Sequence, residues 1–286
     1  MDITAKTQKV GLLGWPLGHS LSPAMHNAAF AASNLDYVYL PLPTPPELLA
    51  QAVAGLRALG FAGVNVTIPH KVAIMDYLDE IDSSAQLVGA VNTIVVKEDR
   101  LIGYNTDAGG YICSLEQDGI SVTGKSVVIL GAGGAARAVV AGLVGANIAS
   151  ITIGARDKNK ADGMAQLFSG VIPVNGVAWE DNEFAAVVSK ANLVVNATSL
   201  GMHPAIASQP PIQWDLLQQS AVVSDLVYNP PVTSFMAEGA RRGHTVVGGN
   251  GMLIEQGALA FELWTGCKAP RQVMRQALLA GLKINN

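Results

Sequence analysis

The chain has 286 residues, half of them hydrophobic and 14% charged, which excludes a disordered polyelectrolyte and fits a compact α/β protein whose buried strands read as apolar runs. Its 18 Lys and Arg against 22 Asp and Glu leave a net charge of −4 with no basic run, which argues against nucleic acid as a partner. Two distant cysteines, Cys113 and Cys267, and five scattered histidines show no metal-ligand spacing, and without a signal-peptide core or an apolar run of the ~18 residues that span a membrane, a cytoplasmic protein with no metal and no membrane association is expected.

In chain order, "VGLLG" (10–14), "YVYLPL" (37–42) and "FAGVNVTI" (61–68) read as strands. Between them, "PAMHNAAFAASN" and "PELLAQAVAGLRALG" read as helices closed by Asn or Gly, giving a βαβαβ start. "VNTIVVKEDRLIGYN" predicts two strands joined by a polar turn at 97–100 and hence an antiparallel edge. After the helical "DAGGYICSLEQDG", a second βα series begins at "SVVIL" and runs through "ASITIG", "NLVVNATS" and "SAVVSDLV" to "HTVVGG", which predicts a Rossmann-type, doubly wound parallel sheet. The tail adds two helices without a strand, so it is expected to pack on the first domain. The resulting division is 1–106 plus 250–286 as a mostly parallel α/β substrate domain, and 107–249 as the dinucleotide-binding domain.

"VVILGAGGAARA" places Gly131, Gly133 and Ala136 in G-x-G-x-x-A spacing after an apolar strand and at the mouth of a helix. The first glycine permits the tight turn, the second lets backbone approach a pyrophosphate, and the small alanine allows close helix packing. Where an NAD site would carry an acid, about 20 residues on, this chain has Ile153, Gly154 and Ala155, followed by Arg156, Asp157, Lys158 and Lys160. The cations favour a 2′-phosphate and therefore NADP, Asp157 argues for NAD, and Lys158 reads more simply as a solvated helix start.

In the first domain, "NVTIPHK" closes a strand with Asn65, Thr67 and Lys71, which project from a carboxyl end, where ligands bind in open α/β sheets; Pro69 reads as a helix start. Asn92 in "GAVNT" and Asn105, Thr106 and Asp107 in "GYNTDAGG" add polar groups. Asp107 stands at the domain junction, where a substrate cleft is expected, although it also suits an N-cap. In "GHSLSPAMHN" an extended segment would face Ser20 and Ser22 the same way across Leu21, with Pro23 opening a helix whose positive end suits a carboxylate ligand; Ser22 as a plain helix cap is the simpler alternative. His19 and His26 read as ordinary hydrogen-bonded histidines.

"GWPLGHSLSPAMHN", "NVTIPHK", "GAVNT", "GYNTDAGG", "GAGGAARA", "NATSLGM" and "GGNGMLIEQGA" occur in the order found in shikimate dehydrogenases, and the resemblance spans nearly the whole chain. It implies a two-domain oxidoreductase that interconverts 3-dehydroshikimate and shikimate with NADPH, a step of aromatic amino-acid biosynthesis. By matching position, Lys71 and Asp107 correspond to the family's catalytic pair. Ser20 and Ser22 would hold the substrate carboxylate, and Thr67, Asn92 and Gln256 the ring hydroxyls, with Tyr228 at substrate and nicotinamide. Gly131, Ala132, Gly133, Gly134 and Ala135 match the phosphate turn, Thr198, Ser199 and Gly249 lie in cofactor loops, Met252 is expected beside the nicotinamide, and Arg156 and Lys160 keep a phosphate clamp. NADP-using relatives commonly carry Asn-Arg-Thr where this chain has Ala155, Arg156 and Asp157, so NAD stays open as cofactor, with an NAD-preferring quinate/shikimate dehydrogenase as the alternative. A non-catalytic dinucleotide sensor is the alternative from another class. The sequence leaves open whether Lys71 is the proton-transfer base or a donor to the alkoxide, and whether the protein forms a homodimer.

Overall fold

The computed structural model describes residues 3–18 and 20–284, so His19 lies outside the described residues. The chain divides into two compact units, Met1–Gly110 with Ile254–Asn286, and Tyr111–Leu253.

The first unit opens with β1 (Gln8–Gly14), α1 (Ser22–Ala32), β2 (Tyr37–Pro43), α2 (Leu49–Ala58) and β3 (Phe61–Val66), the βαβαβ order that the sequence suggests. It continues through β4 (Glu80–Ile81), α3 (Ser83–Val88) and the hairpin β5 (Thr93–Lys97) and β6 (Arg100–Tyr104) to the start of α4 (Thr106–Gln117). The sheet order is β2-β1-β3-β5-β6-β4. The first three strands are parallel, and β5 enters antiparallel to both β3 and β6. The hairpin is therefore not the edge: β4, two residues long, pairs parallel with β6 outside it. So short a strand has no periodicity for a sequence to display.

Alternation along β3 separates two layers. Val64 and Val66 join Leu49, Val53 and Leu56 of α2 in one core, whereas Gly63 and Asn65 face the other way. On that second face the Trp264 indole donates to the Ile94 carbonyl at 2.9 Å, and a side chain at Gly63 would occupy the same space. Phe30 of α1 stacks on Phe261 at 5.1 Å, and α10 (Arg271–Ile284) packs on α1.

The second unit holds β7 (Ser126–Leu130), α5 (Gly134–Gly145), β8 (Ser150–Ala155), α6 (Lys158–Gln166), β9 (Val174–Ala178), α7 (Asn182–Val188), β10 (Leu193–Asn196), β11 (Val222–Asp225), α8 (Ser234–Arg241) and β12 (Thr245–Val247), ending in the first residues of α9 (Gly249–Thr265). Its six strands are all parallel, in the order β12-β11-β10-β7-β8-β9. The direction of winding reverses between β7 and β10, the doubly wound arrangement with its switch point beside the first strand. β9 and α7 are additions to the sequence reading. Among the described residues no helix is long and apolar enough to cross a membrane.

Candidate active site

In the first unit, Lys71 Nζ lies 2.6 Å from Asp107 Oδ2, with the lysine side chain 31% and the aspartate 15% exposed. Two local structures hold the pair. Lys71 follows β3 in a turn rather than a Pro69-started helix: the His70 N–H donates to the Thr67 carbonyl at 3.0 Å, and the Lys71 carbonyl accepts from Val91 N–H at 2.8 Å. Asp107 is not the cap of α4. The Asn105 side chain takes that role, accepting from the N–H groups of Asp107 and Ala108 at 3.1 and 3.3 Å, which leaves the Asp107 carboxylate in the first helical turn and free to face Lys71. The helix N-terminus further favours an anion there.

Asn92 completes the cluster. Its Nδ2 donates to Asp107 Oδ1 at 2.8 Å and to Thr106 Oγ1 at 2.9 Å, while its Oδ1 accepts from Thr106 N–H at 2.8 Å. Thr67 packs over Gly14, where a Cβ would collide with its methyl group, and its N–H donates to the Leu13 carbonyl at 2.9 Å. Gln256 of α9 lies against α4 one turn beyond Asp107: a side chain at Gly110 would come within 2.6 Å of the Gln256 backbone nitrogen.

The two serines meet, but not in an extended strand. Leu21 has φ −92° and ψ −3°, in the helical region, and its carbonyl accepts from Met25 N–H at 3.1 Å, so Ser22 is the first residue of α1 and Pro23 the second. Proline suits a first-turn site, where its missing N–H costs nothing. The Ser20 hydroxyl accepts from Ser22 N–H at 3.3 Å, and Ser22 itself caps nothing. Behind them stands a buried layer of which the sequence names only Asn65, expected at the ligand end of β3 but buried here. The Tyr39 hydroxyl donates to Asn65 Oδ1 at 2.8 Å, and Asn65 Nδ2 donates to Thr93 Oγ1 at 3.0 Å. Burial drives the Tyr39 phenol well above its ordinary value, partly offset by a side-chain hydrogen bond from Ser22. A polar residue amid the apolar run of β3 and another opening β5 were the available signals for this layer.

In the second unit the glycine turn joins β7 to α5. Gly131 has φ +115°, and a Cβ there would lie 2.9 Å from the Thr198 methyl, so both conformation and packing demand glycine. Ala136 is fully buried, as close helix packing requires. At Gly133 and Gly134 a Cβ would meet no other part of the described residues within 4 Å, and Gly133 caps α5 without any side-chain bond, leaving Gly133, Gly134 and Ala135 exposed at the helix N-terminus. Ala132 is half-buried before them. This open, unblocked turn at the switch point fits the pyrophosphate of a dinucleotide.

Next along the sheet, Asp157 caps α6, its carboxylate accepting from Asn159 N–H at 3.0 Å. Lys158 pairs with Asp162 at 2.7 Å as a surface helix charge, while Arg156 and Lys160 are exposed with no ion-pair partner among the described residues. On the other side of β7, Asn196 Oδ1 accepts from the Thr198 hydroxyl at 2.7 Å and from Thr198 N–H at 3.1 Å, and Ser199 beside it is exposed. Asn196 Nδ2 donates to buried Asp225 at 3.0 Å, and Asp225 accepts from Val227 N–H at 2.9 Å, one residue before Tyr228. Tyr228 is half-buried, which raises its phenol above the ordinary value. Gly249 is buried, with its Cα against the Leu226 carbonyl, and Met252 is half-buried.

A glycine turn at the switch point of a doubly wound sheet in the second unit, with a paired ammonium and carboxylate in the first, defines the class of dinucleotide-dependent oxidoreductases. Three family profiles match the chain: the shikimate dehydrogenase substrate binding domain over residues 12–94, shikimate / quinate 5-dehydrogenase over 114–210, and the shikimate 5'-dehydrogenase C-terminal domain over 249–279. The chain belongs to the shikimate dehydrogenase family. It is 48% identical over 277 residues to shikimate dehydrogenase (NADP(+)) of Symbiobacterium thermophilum, covering 96% of this chain and 94% of that one. Among solved structures, a shikimate dehydrogenase in complex with NADP+ aligns with a TM-score of 0.90 at 41% identity, covering 98% of this chain and 97% of the other. The Thermus thermophilus enzyme in complex with NADP(H) and shikimate aligns with a TM-score of 0.86 at 37% identity, covering 96% and 99%.

Proposed function

We propose that the chain catalyses the reversible, NADP(H)-dependent interconversion of 3-dehydroshikimate and shikimate, a step of aromatic amino-acid biosynthesis. The observation that carries this reading is the Lys71–Asp107 contact of 2.6 Å, with the second carboxylate oxygen held by Asn92 at 2.8 Å. The first unit is the substrate domain and the second the dinucleotide domain. The bound dinucleotide supplies or takes the hydride, and that chemistry is its own. Gly131, Ala132, Gly133, Gly134 and Ala135 would hold its pyrophosphate. Arg156 and Lys160 would hold the 2′-phosphate, with Thr198, Ser199, Gly249 and Met252 in its surrounding loops.

The protein manages one proton and one orientation. Ser20 and Ser22 bind the ring carboxylate at the start of α1, where the helix dipole adds to their hydroxyls. Thr67, Asn92, Tyr228 and Gln256 orient the ring hydroxyls. Lys71 Nζ, paired with Asp107, donates to the carbonyl oxygen as it gains charge and gives up a proton as it becomes an alcohol. In the oxidation direction the neutral Lys71 amine takes the single hydroxyl proton as the hydride leaves for the dinucleotide, and Asp107 beside it stabilises the ammonium that forms. The compartment proposed is the cytoplasm, consistent with Cys113 and Cys267, which form no disulfide.

Purified protein given shikimate or quinate with NADP+ or NAD+ tests the reading through the appearance of reduced cofactor near about 340 nm. Shikimate with NADP+ gives the highest kcat/KM. No turnover with any pair overturns the assignment, and a higher kcat/KM with NAD+ and quinate turns it into the quinate/shikimate alternative.

A further inference from the structure

In the first unit, hydrogen bonds gather the segments that leave the carboxyl ends of β1, β2 and β3. The Thr67 N–H donates to the Leu13 carbonyl at 2.9 Å and the Trp15 N–H to the Ile68 carbonyl at 3.0 Å, which joins the ends of β1 and β3, and the Thr44 N–H donates to the Gly14 carbonyl at 2.9 Å, which joins β2 to β1. A side chain closes the ring: His70 Nε2 lies 2.7 Å from the Thr44 carbonyl, and both residues are buried, His70 at 1% exposure. A carbonyl oxygen only accepts, so Nε2 carries the proton and donates. The acceptor is held still. Thr44 stands between Pro43 and Pro45, whose rings fix their own φ and disfavour helical backbone at the residue before each, and its hydroxyl donates to the Leu42 carbonyl at 3.0 Å.

We infer that His70 is a positioning residue for Lys71, a buried latch that ties the turn carrying the proton-transferring nitrogen to the proline-flanked post after β2. The inference rests on the proposed activity and adds to it a residue that touches no reacting atom. Lys71 lies in neither a helix nor a strand, so no repeating ladder of backbone bonds fixes it. The start of its turn is anchored on β1 through Thr67 and Ile68. Beyond Pro69 the anchoring passes to two bonds on either side of the Lys71 peptide. The Lys71 carbonyl accepts from Val91 N–H at 2.8 Å, next to the Asn92 that holds Asp107, and His70 holds Thr44 at 2.7 Å on the other side. With both made, Lys71 Nζ meets Asp107 Oδ2 at 2.6 Å. Proton transfer needs its partners at hydrogen-bond distance, and a misplacement of about 1 Å costs up to about 10²-fold in rate. Ser20, Ser22 and Thr67 precede Pro69 and do not depend on this latch, so its loss falls on turnover and not on substrate binding.

The test compares two amides at this position in the full chain, by steady-state kinetics and calorimetric shikimate binding. His70→Gln carries an amide nitrogen at the reach of imidazole Nε2, whereas His70→Asn stops at the reach of Nδ1 and leaves the Thr44 carbonyl without its donor. His70→Asn is expected to lower kcat about ten-fold, with shikimate affinity and the KM for NADP+ each within about two-fold of wild type. His70→Gln restores kcat to within about three-fold, because the bond is made again. In a Lys71→Ala background the two variants leave the same residual rate, since the histidine acts through the lysine. His70→Phe keeps a flat ring without a donor and takes the place of His70→Asn if that variant does not fold. Equal turnover with and without the donor, a loss that falls on shikimate affinity instead of kcat, or a difference that persists in full after Lys71→Ala overturns the role of His70 and leaves the enzyme assignment standing. A wild-type protein that neither binds nor oxidises shikimate overturns both.

Discussion

Lys71 Nζ sits 2.6 Å from Asp107 Oδ2, and the opposite carboxylate oxygen receives the Asn92 amide at 2.8 Å, so the ion pair has a fixed orientation rather than the latitude of a surface contact. Lys71→Ala removes the donor at the reacting oxygen and is expected to lower kcat by about 10²–10⁴, with shikimate affinity changed far less. Asp107→Asn keeps the hydrogen bond to Asn92 but no longer holds a charged partner for Lys71, and lowers kcat in the same direction. Steady-state kinetics alongside shikimate titration checks both. Wild-type turnover in Lys71→Ala would remove the residue from its role.

Asp157 settles into a local job that the sequence does not announce. It is the side chain where NADP-using relatives commonly carry threonine, yet its carboxylate accepts from Asn159 N–H at 3.0 Å as the cap of α6. Asp157→Ser preserves a capping oxygen and removes the charge beside Arg156 and Lys160. The KM for NADP+ is expected to fall several-fold while that for NAD+ changes little, and Asp157→Ala shows the same selectivity with about 1 kcal/mol less stability from the lost cap. Arg156→Ala moves the ratio the other way. The measurement is kcat/KM for the two cofactors across the three variants.

These residues also show what a sequence can carry. Strands of four or more apolar residues followed by Gly, Asn or Pro are legible because burial on both faces leaves no polar position inside them, and so the glycine turn and the polar residues at strand ends could be placed before any coordinates. β9 was not: "VNGVA" carries Asn175 and Gly176 at its centre and gives no apolar run. Ser-Leu-Ser displays only a period of two, which predicts an extended segment; the helical Leu21 is fixed by the Ser20 N–H bond to the Leu17 carbonyl and by the Met25 hydrogen bond. The buried Tyr39–Asn65–Thr93 layer lies out of reach for a different reason. It joins β2, β3 and β5 through side chains of ordinary types, and only strand register, Asn65 opposite Thr93, brings them into line.

His26 sets a pH limit on the first unit. It is fully buried, neither ring nitrogen has a hydrogen-bond partner among the described residues, and desolvation holds its pKa at about 3 against 6.5 for the free side chain. Between those values the unfolded chain binds a proton that the folded one refuses, so the stabilisation is complete above pH 6.5 and is lost as pH falls toward 3, at up to about 1.4 kcal/mol per unit. Chemical denaturation at about pH 7.5 and about pH 5 should show the wild type losing about 2 kcal/mol more than His26→Phe, which keeps a ring on Tyr39 and has nothing to titrate. Parallel losses in the two proteins would assign the acid sensitivity to other groups.

Asp225 plays the corresponding part in the second unit. It is fully buried at the end of β11, and burial raises its pKa, opposed by donors from three directions: the Thr233 hydroxyl at 2.6 Å, Val227 N–H at 2.9 Å and Asn196 Nδ2 at 3.0 Å. Asn196 in turn holds Thr198, and Val227 precedes Tyr228, so one carboxylate braces the loops after β10 and β11 on the same side of the switch point. Asp225→Ala leaves three buried donors without an acceptor and is expected to cost about 3 kcal/mol or more in stability. Asp225→Asn keeps the shape but turns an amide N–H toward groups that already donate, and is expected to be the more informative variant: it folds with a lowered Tm and raises the KM for NADP+ by about ten-fold, with a distinctly smaller loss of calorimetric affinity for shikimate, since Tyr228 is the one assigned shikimate contact on the loops it braces. Equal losses in cofactor and shikimate affinity would mean that the substitution disturbs the whole chain rather than the two loops it braces.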